Sequence, residues 1–406
     1  MKSCVLIGIG MGNTASLSEE ARLAMQHAPL VAGADRMMQA VAPFVQGKTL
    51  VTYESKKIAA AFAEYAGTDH VPCAVFSGDT GFYSGATTLR TLLETDGWQV
   101  TVVPGISTAQ YLSAQIGKPW QDWHLVSAHG TDRNLGIGLS YSPKTFFLTG
   151  GAVTVRSIAQ FLLDHEAEAV LTVGSHLGAT EELIFSASPA EILSRTDYDE
   201  SLSCALVERM LPDVPHGALS DAFFVRNVDS ASVKIVPMTK QFVRVAILSL
   251  LAVRDGETVW DIGAGTGAVS VDIAHAAHCA VHAVEYKEEA CNLIRQNCAK
   301  AGLLNLEVVC NRAPECLSDL PAPNAVFVGG SEGELRPILR AAKEKNPACR
   351  IVVSCLTMET LSEIQSASAA LGCDYEAVQI SVSQSKQAGA YHLMTAQNPV
   401  WLVKLQ

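Results

Sequence analysis

Apolar runs of four to seven residues, most of them closed by glycine, recur along this chain and alternate with stretches whose apolar positions fall one helical turn apart. The first run, CVLIGIG, feeds the turn Gly8-Ile9-Gly10-Met11-Gly12, and SLSEEARLAMQHA after it reads as a helix capped by Ser16 or Ser18, with acids in its first turn. Two further strand-like runs follow: VPCAVF, ending in Ser77-Gly78-Asp79-Thr80-Gly81, and WQVTVV, ending in Pro104-Gly105-Ile106-Ser107. From about Pro119 to Arg226 a new set takes over, with KTFFLTGG, AEAVLTVGSHLG and LSCALVER as strands and VRSIAQFLLDHEA and SPAEILSR as helices. Residues 227–238 carry no helical period. A helix is expected from Thr239, its N-cap, with Phe242, Val245, Ala246 and Ser249 on one face. The strands ETVWDI and AVHAVE, the helix KEEACNLIRQNCAKAGL with Gly302 as C-cap, and the strands LEVVC, NAVFVGG, RIVVSC and YEAVQISV come next. YHLMTAQNPVWLVKLQ reads as a closing hairpin. Strand and helix in alternation predict an α/β protein, with domains expected at 1–118, 119–228 and 229–406.

Composition narrows the chemistry. With 406 residues, 49% of them hydrophobic, there is material for large cores, yet the longest apolar runs are of strand length and predict no membrane span. The opening MKSCVLIGIGMG is too short and too rich in glycine for a signal peptide, so a cytoplasmic chain is expected. The eleven cysteines form no C-x-x-C pair, and several lie in apolar runs, so they read as reduced core residues with no metal site. A net charge of −12 argues against nucleic acid as partner. An anionic substrate would have to be met by a local group of Lys and Arg.

The most informative stretch is ETVWDIGAGTG. A buried strand runs into Asp261-x-Gly263-x-Gly265-x-Gly267 and then into a helix, so that a ligand can touch backbone where no Cβ intervenes. AVHAVE ends on Glu285, an acid about 20 positions after the glycines, which is the spacing at which ribose hydroxyls are held. An adenosine site is expected here. The spacing differs from the G-x-G-x-x-G of dinucleotide sites, and Asp261 suits a cationic amino-acid ligand better than a pyrophosphate.

This stretch resembles the first motif of the class I S-adenosylmethionine methyltransferases, and T-K-x-x-V-R before D-I-G-A-G-T-G (Thr239, Lys240, Val243, Arg244) is similar to the C15-methylating, decarboxylating branch of the precorrin methyltransferases. That branch commonly has an acid where Gln241 stands. GIGMG, SGDTGFYSG, VVPGIST and LVSAHG resemble the successive motifs of the tetrapyrrole (corrin/porphyrin) methyltransferases, nearest to the branch that methylates C5. Here Met11 and Thr80 replace prolines, and Thr108 a serine. The resemblance implies an N-terminal tetrapyrrole-methylase fold of two α/β subdomains and a Rossmann-like C-terminal domain with a seven-stranded sheet. It implies two S-adenosylmethionine sites, one through Gly8, Gly10, Gly78, Asp79, Gly105 and Ser107, the other through Asp261, Gly263, Gly265, Gly267, Glu285, Arg312 and Ala313. Asp79, His129, Lys240 and Arg244 are the residues expected nearest the chemistry. Lys240, Arg244 and Arg312 could equally be a solvated helix face or ordinary ion pairs, Asp79 a turn residue, and His129 a merely structural residue of a strand-end loop. The substrate implied is a precorrin-type tetrapyrrole, and a homo-oligomer is expected.

Three other readings compete. A nucleic-acid methyltransferase would share the C-terminal core but want a basic surface. A corrinoid-binding scaffold would have an N-terminal part without catalysis. The third keeps the chemistry and takes the cobalt-loaded ring instead of the metal-free one.

Overall fold

The computed structural model describes residues 2–128, 135–215, 217–226 and 236–405. They fall into two compact units, one of Met1–Asp132 with Pro143–Arg209, the other of Arg133–Ser142 with Met210–Gln406.

The first unit holds two five-stranded sheets. In one, all parallel, the order is Lys48–Val51, Leu30–Gly33, Cys73–Phe76, Ser3–Gly8, Gln99–Val103. Parallel strands need crossover helices on their faces, and Glu19–His27 is one of these. Its N-cap is Ser18, whose side chain accepts from the backbone N–H of Ala21. The other sheet runs His124–Ser127, Lys144–Leu148, Ser203–Glu208, Val170–Ser175, Leu183–Ala187, antiparallel except for its first pair. Within this unit Asn13 donates to the carbonyl of Gly178 at 2.8 Å. Glu182 takes the hydroxyl of Tyr111 at 2.8 Å and the N–H of Gly178 at 2.6 Å, and so ties the helix Thr108–Ile116 to the second sheet.

The second unit is built on a seven-stranded sheet in the order Leu306–Cys310, Ala280–Glu285, Thr258–Ile262, Ala325–Val328, Arg350–Cys355, Val400–Leu405, Tyr375–Ile380. The first five strands are parallel, and Val400–Leu405 lies antiparallel between its neighbours. The expected closing hairpin is corrected here: Tyr391–Ala396 pairs with Ser383–Ala388, while Val400–Leu405 enters the main sheet. A two-stranded ribbon and an inner strand of the main sheet thus share a segment that looks continuous in sequence.

The helix Ala268–Ala276 follows the glycine turn, and its first seven residues are all buried, including Ser270 and Asp272. A stretch without a solvated face belongs in a core, and its two buried polar side chains are hydrogen-bonded there. Asp272 accepts from Arg244 Nε at 2.6 Å and from the N–H of Leu219 at 3.0 Å. Burial raises the Asp272 carboxyl above its ordinary range, and Arg244 partly offsets this. Leu219 and Phe224 pack in the same core, and Asn297 holds the N–H and the carbonyl of Val225. Residues 217–226 are therefore a strap on this unit, beginning well before the expected boundary at 229. The helix Leu135–Ser140 also belongs to it: Ser140 accepts the N–H of Leu304 at 2.8 Å, and Tyr141 meets Asn305 at 2.6 Å.

Candidate active site

Parallel α/β sheets place their ligands beyond the carboxyl ends of the strands. In the second unit a cavity of about 700 Å³ opens there, lined by the glycine turn, Asp261, Glu285, Lys240, Arg312 and Ser331 among others. This is within the size range of small-molecule sites.

The three glycines of the turn have different causes. All have positive φ, but a Cβ on Gly263 would stand 2.5 Å from the Gly330 carbonyl, and one on Gly267 would stand 2.8 Å from Ile294. These two let neighbouring structure close in. At Gly265 the nearest atom would be the Pro237 carbonyl at 3.4 Å, so this is the glycine that leaves room for a ligand. The N–H of Gly265 donates to Glu285 at 3.0 Å, and the other Glu285 oxygen accepts from the N–H groups of Tyr286 and Lys287, each at 3.0 Å. The carboxylate is locked in place with acceptor capacity to spare on the oxygen that faces Gly265.

Asp261, 1% exposed, is the most perturbed group in the site. One oxygen accepts from the Ser270 hydroxyl; the other, Oδ1, is buried without a hydrogen-bond partner. Burial pushes its carboxyl up to about 7, against the Ser270 bond, with the Glu285 charge adding to the rise. A buried acceptor left unmatched costs free energy, and a cationic donor in the cavity would satisfy it.

The rim corrects one expectation. Arg244 does not line the cavity: it is fully buried and bound to Asp272, to Asp221 at 2.8 Å and to the carbonyls of Leu219 and Thr239. Two acids remote in sequence draw it inward. Its effect on the site is indirect, through Thr239, which does line the cavity. The N-cap of the helix Gln241–Leu251 is Lys240, not Thr239, and carries no side-chain cap bond. Gln241 donates its amide to the Ala218 carbonyl at 2.9 Å, a bond an acid could not make. Lys240 is on the rim, its ammonium 3.8 Å from Asp221. Arg312 and Ala313 line the far wall, with Arg312 paired to Glu332 at 3.0 Å. Tyr286, Glu332, Asp221 and Asp272 were missed by sequence reasoning; of these only Glu332, set between glycines in Gly329-Gly330-Ser331-Glu332-Gly333, carried a local signal.

In the first unit the loops after Gly8, Gly78 and Gly105 meet. Gly10 and Gly78 exchange backbone hydrogen bonds of 3.1 and 2.8 Å, and a Cβ on Gly105 would lie 2.3 Å from the Gly78 carbonyl. A Cβ on Gly8 would lie 2.7 Å from the same carbonyl and from the Gly105 nitrogen. Gly8 and Gly105 are thus required by loop-on-loop packing, and Gly10 and Gly78 by positive φ. Asp79 spends both oxygens on this arrangement, taking the N–H of Gly81 at 2.8 Å and that of Gly105 at 3.2 Å. The buried Thr80 sits inside that turn. Ser107 caps the helix Thr108–Ile116 in a reciprocal pair with Gln110. His129 lies outside the described residues.

Two family models divide the chain. Residues 3–193 match the tetrapyrrole (corrin/porphyrin) methylases and residues 234–405 the precorrin methyltransferase domain. A probable cobalt-precorrin-6B C(15)-methyltransferase (decarboxylating) of Pyrobaculum calidifontis is 42% identical over 171 residues, 41% of this chain and 88% of that protein. The precorrin-6Y C(5,15)-methyltransferase [decarboxylating] of a Sinorhizobium species is 27% identical over 368 residues, 87% of this chain and 84% of that one. A crystal structure of precorrin-6Y C5,15-methyltransferase from Geobacter metallireducens GS-15 is 30% identical, with a TM-score of 0.44, over 48% of this chain and 99% of that chain. The chain is a methyltransferase, of families whose methyl donor is S-adenosylmethionine. It belongs to the decarboxylating precorrin methyltransferases, in the form that fuses a tetrapyrrole methylase part to a C15-methyltransferase part.

Among the described residues no helix is long and apolar enough to cross a membrane.

Proposed function

We propose that this chain carries two S-adenosylmethionine sites and methylates a precorrin-type tetrapyrrole twice in cobalamin biosynthesis. The N-terminal part acts at C5; the C-terminal part acts at C15 and removes the carboxylate of the ring-C acetate. The observation that carries the reading is the floor of the C-terminal cavity, where the unpartnered Oδ1 of Asp261, the open face of Gly265 and the locked carboxylate of Glu285 converge. These residues fit the methyl donor: an ammonium group would satisfy Asp261, the adenosyl part would pass over Gly265, and ribose hydroxyls would meet Glu285.

When bound, S-adenosylmethionine supplies an activated methyl group on a sulfonium with a neutral leaving group. The protein's share is then alignment and exclusion of water. In the C-terminal part Gly263 and Gly267 keep the turn tight, and Asp261 and Glu285 would hold the two ends of the donor. Lys240, half-exposed on the rim, offers its ammonium to an acetate or propionate of the ring. The conjugated macrocycle can accept the electron pair released as carbon dioxide leaves, and a proton taken up from solvent at the exocyclic carbon then completes the methyl group. In the N-terminal part Asp79 holds the loops in register instead of exchanging protons, a reading supported by its two backbone partners. His129 is a substrate contact by resemblance alone.

A homo-oligomer belongs to the same reading. The ribbon Ser383–Ala388 with Tyr391–Ala396 is exposed throughout, including Tyr391, Leu393 and Met394, and apolar side chains in such number commonly meet a partner. Light scattering on the full chain tests this, and a monomer at micromolar concentration would overturn it. The two-site claim is tested by calorimetric titration with S-adenosylhomocysteine, expected to give two equivalents per chain. Gly265→Val should leave one; a wild type that takes only one refutes the second site.

A further inference from the structure

Glu332 has a backbone φ of +49°, a left-handed conformation unusual for a residue other than glycine, in a loop whose next residue, Gly333, has φ +88°. Strain of this kind persists where surrounding contacts over-determine it, and it gathers at ligand clamps. The contacts are present. The Glu332 carboxylate accepts from the Tyr286 hydroxyl at 2.6 Å through one oxygen and from Arg312 at 3.0 Å through the other. The Arg312 guanidinium stands 5.4 Å from the centre of the Tyr286 ring. Three strand ends are joined in this way: Tyr286 follows Ala280–Glu285, Arg312 follows Leu306–Cys310, and Glu332 follows Ala325–Val328. All three side chains border the cavity, and Tyr286 is the next residue after Glu285.

We propose that Glu332 is a positioning residue for the methyl donor, holding the Tyr286 ring and the Arg312 guanidinium as one wall over the adenosyl end of the C-terminal site. The inference rests on the functional reading of that cavity and adds to it the residue that keeps the wall shut. Without Glu332 the Tyr286 hydroxyl and Arg312 lose their common acceptor, both turn to solvent, and the ligand leaves more easily. The carboxylate acts through its two partners and touches no reacting atom.

The test uses the full chain and two substitutions that separate carboxylate from backbone. Glu332→Ala removes the carboxylate and keeps the strained φ; Glu332→Gly removes both. Binding of S-adenosylhomocysteine is measured by calorimetry, with Gly265→Val defining the signal of the other site. Both variants should weaken binding at the C-terminal site about tenfold, which corresponds to about 1.4 kcal/mol, and only Glu332→Gly should melt above Glu332→Ala. Tyr286→Phe, losing one of the two bonds, should fall between these and the wild type. Variants that bind like the wild type overturn the inference and leave the functional reading intact. A wild type without S-adenosylhomocysteine in the cavity that Gly265→Val blocks overturns both.

Discussion

Asp261→Asn should stabilise the C-terminal unit at neutral and higher pH while weakening its hold on the methyl donor. Asp261 is buried with one oxygen unmatched, and its carboxyl is raised from an ordinary 3.8 to about 7. The folded state therefore binds the proton more tightly than the unfolded state. The stability tied to the protonated form is fully present below about pH 4, declines as pH rises, and is gone above about pH 7. At about 1.36 kcal/mol per unit the raised value amounts to about 4 kcal/mol between those limits. Asparagine keeps an acceptor for the Ser270 hydroxyl and has no charge to bury, but its amide N–H group takes the unmatched place at a cost of about 1–3 kcal/mol. The net gain expected at pH 8 is about 1–3 kcal/mol, turning to a loss near pH 4. Because the chain has two units, the assay is hydrogen exchange at the strand Thr258–Ile262, which reports the C-terminal unit alone. Calorimetry with S-adenosylhomocysteine on the same variant should show affinity lower by tenfold or more, and the wild type should release a proton on binding near pH 6. A wild-type-minus-variant difference that is flat from pH 4 to 8 would refute the buried, unmatched carboxylate. Undiminished affinity would refute its role in holding the ligand.

Gly265→Val should abolish binding at the C-terminal site without unfolding the unit, whereas Gly263→Ala, whose Cβ would press on the Gly330 carbonyl, should lower the melting temperature of that unit. Arg244→Met should cost about 3–5 kcal/mol of C-terminal stability by leaving Asp272 buried and unpaired, read by the same hydrogen exchange. A fragment of residues 210–406 should be more stable than one of residues 236–406, because the shorter piece lacks Leu219 and Phe224; equal melting temperatures would contradict the strap. Asp79→Asn should reduce N-terminal stability by about 1 kcal/mol through its bond to Gly105, with C5 methylation near normal; a deep fall in turnover at unchanged stability would restore a chemical role.

Much of the fold was legible because its signals are local. A strand, a glycine turn, a helix and a terminal acid occupy consecutive positions from Thr258 to Glu285, and steric limits on the turn leave traces in residue type. What was not legible depends on partners far along the chain. Arg244 looks like a charge on a helix face until Asp221 and Asp272 close on it. The strap at 217–226 has no period of its own and takes its shape from Asp272 and Asn297. The glycines also proved ambiguous: Gly8, Gly105 and Gly263 read as room for a ligand, and the space they leave is filled by neighbouring backbone. The apolar pattern of Tyr391–Leu405 misled in a different way, since a ribbon strand and an inner strand of the main sheet follow one another within a single apolar segment.

The central claim is that one chain performs two methyl transfers and one decarboxylation on the same ring. Its most direct test is to incubate the full chain with S-adenosylmethionine and a metal-free or cobalt-loaded precorrin, and to read methyl gains and carboxyl loss by mass, beside Gly265→Val. Two methyl groups gained and one carbon dioxide lost are expected in the wild type, and one methyl gained with the acetate intact in the variant. Decarboxylation that survives Gly265→Val, or a wild type that adds only one methyl group, would contradict it.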